Sequence, residues 1–274
     1  MTRIARALAR ATEQLSYTSD TPRLDAELLM AAALGIGRDR LILDPPNLVM
    51  PADFLDMIER RRAGEPVAYI TGQRAFWTID LEVGPGALVP RPDSETLIAA
   101  AVEHFAGTPG PASILDLGTG PGTLLLAALD EWPTATGIGV DASPIALSYA
   151  QRNADRLGLS GRAALQLGDW ANGIARRFDL LLCNPPYVAT GAETGPGVAE
   201  YEPAEALFAG SDGLDDYRRL APEVGRLLAS GGLAAIEIGF DQADAATALF
   251  VAAGHSPTLA HDLGGRPRAL LIRA

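Results

Sequence analysis

The sequence contains no lysine; all 22 of its basic residues are arginine. Schiff-base chemistry and a P-loop lysine are thereby excluded. A single cysteine, Cys183, rules out a disulfide framework and a cysteine-based zinc site. Positive charge is in short supply. Against 34 acidic residues the arginines leave a formal charge of −12, and a cut at residue 110 leaves 15 acids to 11 arginines before it and 19 to 11 after it. Neither part is a basic module of the kind that neutralises phosphate backbones. The one local basic run is Arg60-Arg61-Arg62. No apolar stretch approaches the ~20 residues that span a bilayer. Arg3, Arg6 and Arg10 interrupt the start, where a secretory signal would be apolar. A soluble, cytoplasmic protein is the expectation.

Hydrophobic residues make up 48% of the 274, enough for a buried core and for two domains or one large one. Residues 1–64 read as a small helical bundle. Thr21-Pro22 resembles an N-cap followed by proline at the first helical position, with Gly35 as a stop, and Pro51 opens a further helix ending near Gly64. Residues 65–90 hold the strand formers Val67, Tyr69, Ile70, Phe76, Trp77, Ile79, Leu81 and Val83, broken by Gly72, Gly84 and Gly86, and read as a β-hairpin linker. Residues 91–274 form the second domain. A helix over 94–105 leads into alternating strands and helices, with strands near 114–117, 137–140, 163–167, 178–183, 233–238, 257–261 and 268–273. Such alternation predicts an α/β fold: a mostly parallel seven-stranded sheet, helices on both faces, and ligands beyond the carboxyl ends of the strands.

The first of those strands runs into Asp116-Leu117-Gly118-Thr119-Gly120-Pro121-Gly122 and then a helix. Glycines permit a sharp turn and close approach of a ligand, and the helix start favours a negative group. Asp141 ends the next strand, 25 residues after Asp116, where a carboxylate can accept hydrogen bonds from two ribose hydroxyls. The pair points to an adenosine-containing ligand; NAD and S-adenosylmethionine both fit. Asp116, just before the turn, would repel a pyrophosphate and attract an ammonium or sulfonium. Asp169-Trp170 follows the third strand. It can bind an adenine amino group and cover its ring, or simply anchor a loop.

Asn184-Pro185-Pro186-Tyr187 follows the fourth strand and lies at the same sheet edge. The prolines fix φ and remove donors, leaving carbonyl oxygens as acceptors. With the Asn184 side-chain oxygen, two acceptors can grip both hydrogens of a planar NH2 group, and Tyr187 can stack on its plane. The nitrogen lone pair then faces an electrophile at the glycine turn. Orientation is the main lever for so poor a nucleophile, and the hydrogen bonds strengthen as charge develops on nitrogen. Taken as a bare string, the tetrapeptide is also compatible with a tight turn. His104, His255 and His261 lie away from both motifs and read as structural or surface residues, and Cys183 as a buried small residue. No metal is expected.

Together these segments resemble the HemK/PrmC-type family of peptide chain release factor glutamine methyltransferases, and the resemblance covers nearly the whole chain. It is carried by residues 22–29 (PRLDAELL), Gly64-Glu65-Pro66 through Tyr69-Ile70-Thr71-Gly72 with Phe76-Trp77, and residues 90–95 (PRPDSE), where Thr is more usual than Ser94. Tyr201-Glu202-Pro203, Ala206-Leu207 and Asp212-Gly213-Leu214 extend it past the tetrapeptide. The resemblance implies a Rossmann-like class I methyltransferase domain that uses S-adenosylmethionine. The methyl acceptor would be the side-chain amide nitrogen (N5) of the glutamine in the Gly-Gly-Gln motif of class 1 release factors. Asp116, Gly118, Thr119, Gly120, Pro121, Gly122, Asp141, Asp169, Trp170 and Asn184 would serve the cofactor. Asn184, Pro185, Pro186 and Tyr187 would hold the glutamine amide, and the N-terminal helices would help recognise the release factor. Pro121 departs from the family's usual small hydroxyl residue and removes one N–H donor, yet suits a helix start. A ribosomal-protein glutamine methyltransferase shares this catalytic domain. An adenine or cytosine amino-methyltransferase shares the tetrapeptide but needs a basic surface and usually a target-recognition domain. A non-catalytic cofactor-binding module has no need of an amide clamp. No stable nucleic-acid binding, membrane association or assembly beyond a monomer is required.

Overall fold

The computed structural model describes residues 3–43 and 49–274. The chain forms two compact units: Met1–Gln73 with Glu193–Glu202, and Arg74–Ala192 with Pro203–Ala274. Among the described residues no helix is long and apolar enough to cross a membrane.

The first unit is helical: α1 (Arg3–Leu15), α2 (Pro22–Leu34), α3 (Arg38–Leu43), α4 (Asp53–Arg62) and α5 (Val67–Thr71). Ile4, Ala11 and Leu15 of α1, spaced to share one helix face, close on Ala26, Leu29 and Met30 of α2 and on Phe54 and Ile58 of α4. Gly35 ends α2 in the left-handed conformation, as its position suggests. Thr21 does not cap α2 in the expected way. Its hydroxyl donates to Asp25 Oδ1 (3.1 Å) rather than accepting from a helix amide. Asp25 and Glu27, inside the family-like segment at residues 22–29, are buried. Asp25 accepts from Arg61 Nε of α4 (2.7 Å) and from Ser19 Oγ (2.7 Å). Glu27 accepts from Arg38 of α3 and Arg23 (2.7 and 2.8 Å). The motif therefore ties three helices together. The arginine run is spent likewise: Arg60 pairs with Glu65, Arg61 with Asp25 and Arg62 with Glu59. Residues 193–202 join this unit through Gly197, which sits on the backbone of Gly64, and through Tyr201 Oη, which donates to Ala63 O (3.3 Å).

Residues 65–90 differ from the expected linker. Val67, Tyr69 and Ile70 are strand formers by type, but they lie in α5, closed by left-handed Gly72, where Tyr69 and Ile70 are buried and half-buried Val67 packs against the helical core. The hairpin is shorter, β1 (Gln73–Phe76) and β2 (Ile79–Glu82), and apart from Gln73 it belongs to the second unit. Its turn residue Trp77 has φ 52°. There the Trp77 amide donates to Glu95 Oε1 (2.8 Å) and its indole Nε1 to Glu131 Oε2 (3.0 Å).

The second unit continues with α6 (Glu95–His104), β3 (Ser113–Leu117), α7 (Thr123–Glu131), β4 (Thr136–Asp141), α8 (Pro144–Arg156), β5 (Ala163–Leu167) and β6 (Phe178–Cys183). After the excursion that holds α9 (Val198–Tyr201) come α10 (Asp215–Leu227), β7 (Leu228–Glu237), α11 (Ala243–Ala252), β8 (Thr258–His261) and β9 (Pro267–Arg273). The seven-stranded sheet has the order β5-β4-β3-β6-β7-β9-β8, parallel except where β9 pairs antiparallel with β7 and β8. Leu115, Leu117, Leu181 and Cys183 on the central strands pack with Tyr217, Leu220 and Phe250 from the helices. Strand order reverses between β3 and β6, which pair in register from Ile114↔Leu180 to Leu117↔Cys183. A crevice opens beyond the carboxyl ends of the strands at such a switch point. The glycine turn leaves β3 and the tetrapeptide leaves β6, so both motifs stand at its lips.

Candidate active site

The turn after β3 is held by its own hydrogen bonds. Gly118 and Thr119 N–H both donate to Val140 O (2.9 and 3.0 Å), Gly122 N–H to Thr119 O (2.9 Å), and Gly120 N–H to Asp141 Oδ2 (2.7 Å). The amides of the glycine positions are thus consumed by the turn itself. Gly118, Gly120 and Gly122 all have positive φ. At Gly118 a Cβ would also stand 3.3 Å from the Trp170 ring, whereas at Gly120 it would meet open space. Gly122 starts α7 and is set back beneath Leu126. The carbonyl of Pro121 accepts from buried Asn153 Nδ2 (2.9 Å), whose Oδ1 in turn accepts from Glu82 N–H (2.6 Å). Asn153, invisible to motif reading, ties the turn to the hairpin.

A cavity of about 640 Å3 lies over this turn, a size typical of small-molecule sites. Ten of the residues singled out from the sequence line it: Asp116, Gly118, Thr119, Gly120, Pro121, Asp141, Asp169, Trp170, Asn184 and Pro186. Gly122, Pro185 and Tyr187 do not.

Asp116 is fully buried. One oxygen accepts from Thr119 Oγ1 (2.6 Å) and Leu125 N–H (3.1 Å), while Oδ1 has no partner. Burial pushes its pKa up to about 7, with the two hydrogen bonds pulling it down and nearby Asp141 pushing it further up. A buried carboxylate oxygen without a partner at a cavity wall is suited to a cationic group. The stability consequence has a definite sign. The folded pKa exceeds the ordinary value near 4, so the native state binds more protons between roughly pH 4 and pH 7, and stability falls as pH rises through that window. The full penalty is on the order of 4 kcal/mol. Asp116→Asn should therefore gain melting temperature relative to the wild type as pH is raised from 4 to 8. A difference that stays constant with pH in paired thermal melts would contradict the elevated pKa.

Asp141, at the end of β4, accepts from Gly120 N–H through one oxygen and from Ser143 N–H (2.8 Å) through the other. Burial raises its pKa, and its backbone hydrogen bonds counter this. Each oxygen keeps a further lone pair for a ligand hydroxyl. Trp170 has φ 50°, a costly backbone for a bulky side chain. Its ring is held against Gly118, and its Nε1 donates to Asp216 Oδ1 (3.2 Å). Asp169 is paired with Arg219 (2.6 Å to each oxygen) at the cavity rim. Asp216 and Arg219 were not legible in the sequence, since they come from α10, far along the chain.

On the other lip, Asn184 Nδ2 donates to Ser94 Oγ (3.1 Å). Its Oδ1 accepts from no described residue. Pro185 is buried, and the Tyr187 carbonyl accepts from Gln242 Nε2 (2.9 Å), which pins the backbone of the tetrapeptide. The Tyr187 hydroxyl donates to Glu237 Oε1 (3.2 Å), and burial raises its pKa. The segment from Arg91 to Glu95, whose role the sequence left open, packs beneath the tetrapeptide and supplies Ser94, while Asp93 pairs with Arg268 (2.9 Å). The histidines stay out of the cavity lining: His104 meets Gly231 O and His255 meets Ala221 O. Cys183 is buried, and burial raises its thiol pKa.

Two family models match, the PrmC N-terminal domain over residues 6–72 and a methyltransferase domain over residues 111–244. A release factor glutamine methyltransferase of Caulobacter vibrioides is 45% identical over 86% of this chain and 83% of its own. One from Rhodospirillum rubrum is 43% identical over 98% of this chain and 85% of its own. The chain belongs to the release factor glutamine methyltransferase family. Among solved structures, a ribosomal protein L11 methylase from Lactobacillus delbrueckii subsp. bulgaricus matches 70% of this chain and 83% of its own, with a TM-score of 0.51 and 20% identity. That likeness concerns the fold alone.

Proposed function

We propose that this protein transfers a methyl group from S-adenosylmethionine to the side-chain amide nitrogen of the Gly-Gly-Gln glutamine in class 1 release factors. The observation that carries the reading is Asn184, held by Ser94 so that its bare carbonyl oxygen stands beside the cavity over the glycine turn. S-adenosylmethionine, when bound, supplies an electrophilic methyl group on a positively charged sulfur. The chain's residues fit such a ligand. Asp116 Oδ1, buried and unpaired, suits its cationic methionyl end, Asp141 its ribose hydroxyls, and Trp170 its adenine face.

The chain's own contribution to the chemistry is orientation. Asn184 Oδ1 and a carbonyl oxygen of the Pro185-Pro186 pair take the two hydrogens of the substrate carboxamide, so its nitrogen lone pair points into the cavity. As positive charge develops on nitrogen both hydrogen bonds strengthen, which favours the transition state over the bound substrate. Tyr187, anchored at both its hydroxyl and its carbonyl, backs this pair. The first unit recognises the protein substrate, and the enzyme works as a cytoplasmic monomer. The pairing of Arg60, Arg61 and Arg62 with carboxylates leaves that run poorly suited to a phosphate backbone, against the nucleic-acid alternative.

Mass spectrometry decides between the substrates. Incubation with donor and a purified release factor should add 14 mass units, roughly one methyl, at the Gly-Gly-Gln glutamine, with none on ribosomal proteins or on DNA. A methyl group on a ribosomal protein or a base, with an unmodified release factor, would overturn the proposal.

A further inference from the structure

Glu237 is an anomaly in its strand. It follows Leu233, Ala234, Ala235 and Ile236, precedes Ile238, and like them is completely buried. It does not line the cavity. One of its oxygens, Oε2, has no hydrogen-bond partner, and burial pushes its pKa up to about 7 despite Ser94, Tyr187 and the charge of Arg268. Replacing a buried carboxylate by an apolar residue is commonly neutral or stabilising, so stability does not explain this residue. Its neighbours do: it accepts from Tyr187 Oη (3.2 Å), and the Ser94 hydroxyl, which accepts from Asn184 Nδ2 (3.1 Å), lies near enough to pull its pKa down.

We infer that Glu237 is a positioning residue for the amide clamp, setting through Ser94 which face the Asn184 carboxamide presents and holding Tyr187 by its hydroxyl. The argument is one of proton counting. A serine hydroxyl has a single proton. Once that proton is given to the Glu237 carboxylate, Ser94 Oγ meets Asn184 only as an acceptor. The Asn184 NH2 must face Ser94, and Oδ1 is turned the other way. Without the carboxylate, the Ser94 proton is free to satisfy Asn184 Oδ1, and the flipped carboxamide becomes competitive. A flipped carboxamide offers N–H donors to an incoming NH2 group and cannot grip it. Turnover then scales with the fraction of molecules that keep the competent orientation.

The inference rests on Asn184 to Tyr187 being the clamp, and the experiment separates the two. Steady-state kinetics on a release factor substrate, donor affinity by calorimetry and thermal melts are measured for Glu237→Leu, Glu237→Gln, Ser94→Ala, Ser94→Thr and the Glu237→Leu/Ser94→Ala double variant. Glu237→Leu should lower kcat about 30-fold, with donor Kd within about twofold and no loss of melting temperature. Glu237→Gln keeps an acceptor and should stay within about threefold of wild type. Ser94→Ala should lose about tenfold in kcat, Ser94→Thr should restore it, and the double variant should be no slower than Glu237→Leu alone, because both act through one chain of bonds. Wild-type kcat in Glu237→Leu, equal losses in the Leu and Gln variants, or full additivity in the double variant would each overturn it. Should Glu237→Leu fail to fold, wild-type kcat in Ser94→Ala does so instead. Asn184→Ala serves as the control. If it keeps full turnover, the clamp itself is wrong. If it is dead while Glu237→Leu and Ser94→Ala are normal, only the positioning role fails.

Discussion

Asn184→Ala lowers kcat for release factor methylation by about 1,000-fold or more while the donor Kd rises no more than about fivefold. Removing one preorganised hydrogen-bond partner of a developing charge costs on the order of a hundred- to a thousand-fold. Here the same truncation also frees the substrate amide to rotate, so the orientation of its lone pair is lost as well. The effect on the donor is smaller because Asp116, Asp141 and the glycine turn are held by bonds that do not pass through Asn184. Single-turnover kinetics beside calorimetric titration separates the two quantities. Wild-type turnover in the variant would remove Asn184 from the chemistry, and a parallel collapse of donor affinity would recast it as a binding residue.

The second large effect is expected at Asp141. Asp141→Ala should raise the donor Kd by roughly 100-fold, because hydrogen bonds to a charged acceptor are each worth about 1.5–3 kcal/mol and two ribose hydroxyls lose theirs. The substitution also releases Gly120 and Ser143 N–H, each of which now donates to one of its oxygens. A modest fall in melting temperature therefore accompanies the weaker binding. Asp141→Asn, which keeps one acceptor oxygen, should fall between the two. Unchanged calorimetric binding in Asp141→Ala would take the residue out of the site, and loss of melting temperature without loss of affinity would make it only a brace for the turn.

The sequence and the structure agree most closely where local chemistry decides. A glycine turn between an apolar strand and a helix, and an Asn-Pro-Pro-Tyr segment after another strand, carry their conformation in their own residues, through positive φ at Gly118, Gly120 and Gly122 and fixed φ at the prolines. The alternation of strands and helices likewise led to the seven-stranded sheet. Agreement fails where burial overrides residue preference. Val67, Tyr69 and Ile70 form a helix because their side chains reach a core that a strand would miss. Thr21 gives its hydroxyl to Asp25, since that buried carboxylate needs donors more than the helix end needs a cap.

Residue types and their spacing were enough for the fold class and for the two motif-bearing loops, because backbone geometry at glycine and proline is a property of a few consecutive residues. They could not show that Ser94, Asp216, Gln242 and Glu237 stand against those loops. These side chains arrive from 46 to 90 positions away for the bonds Asp216 makes to Trp170 and Ser94 to Asn184. Packing alone brings them there. Only in the folded chain does a buried carboxylate take the hydroxyl of Tyr187, and only there does the Asn184 amide meet Ser94.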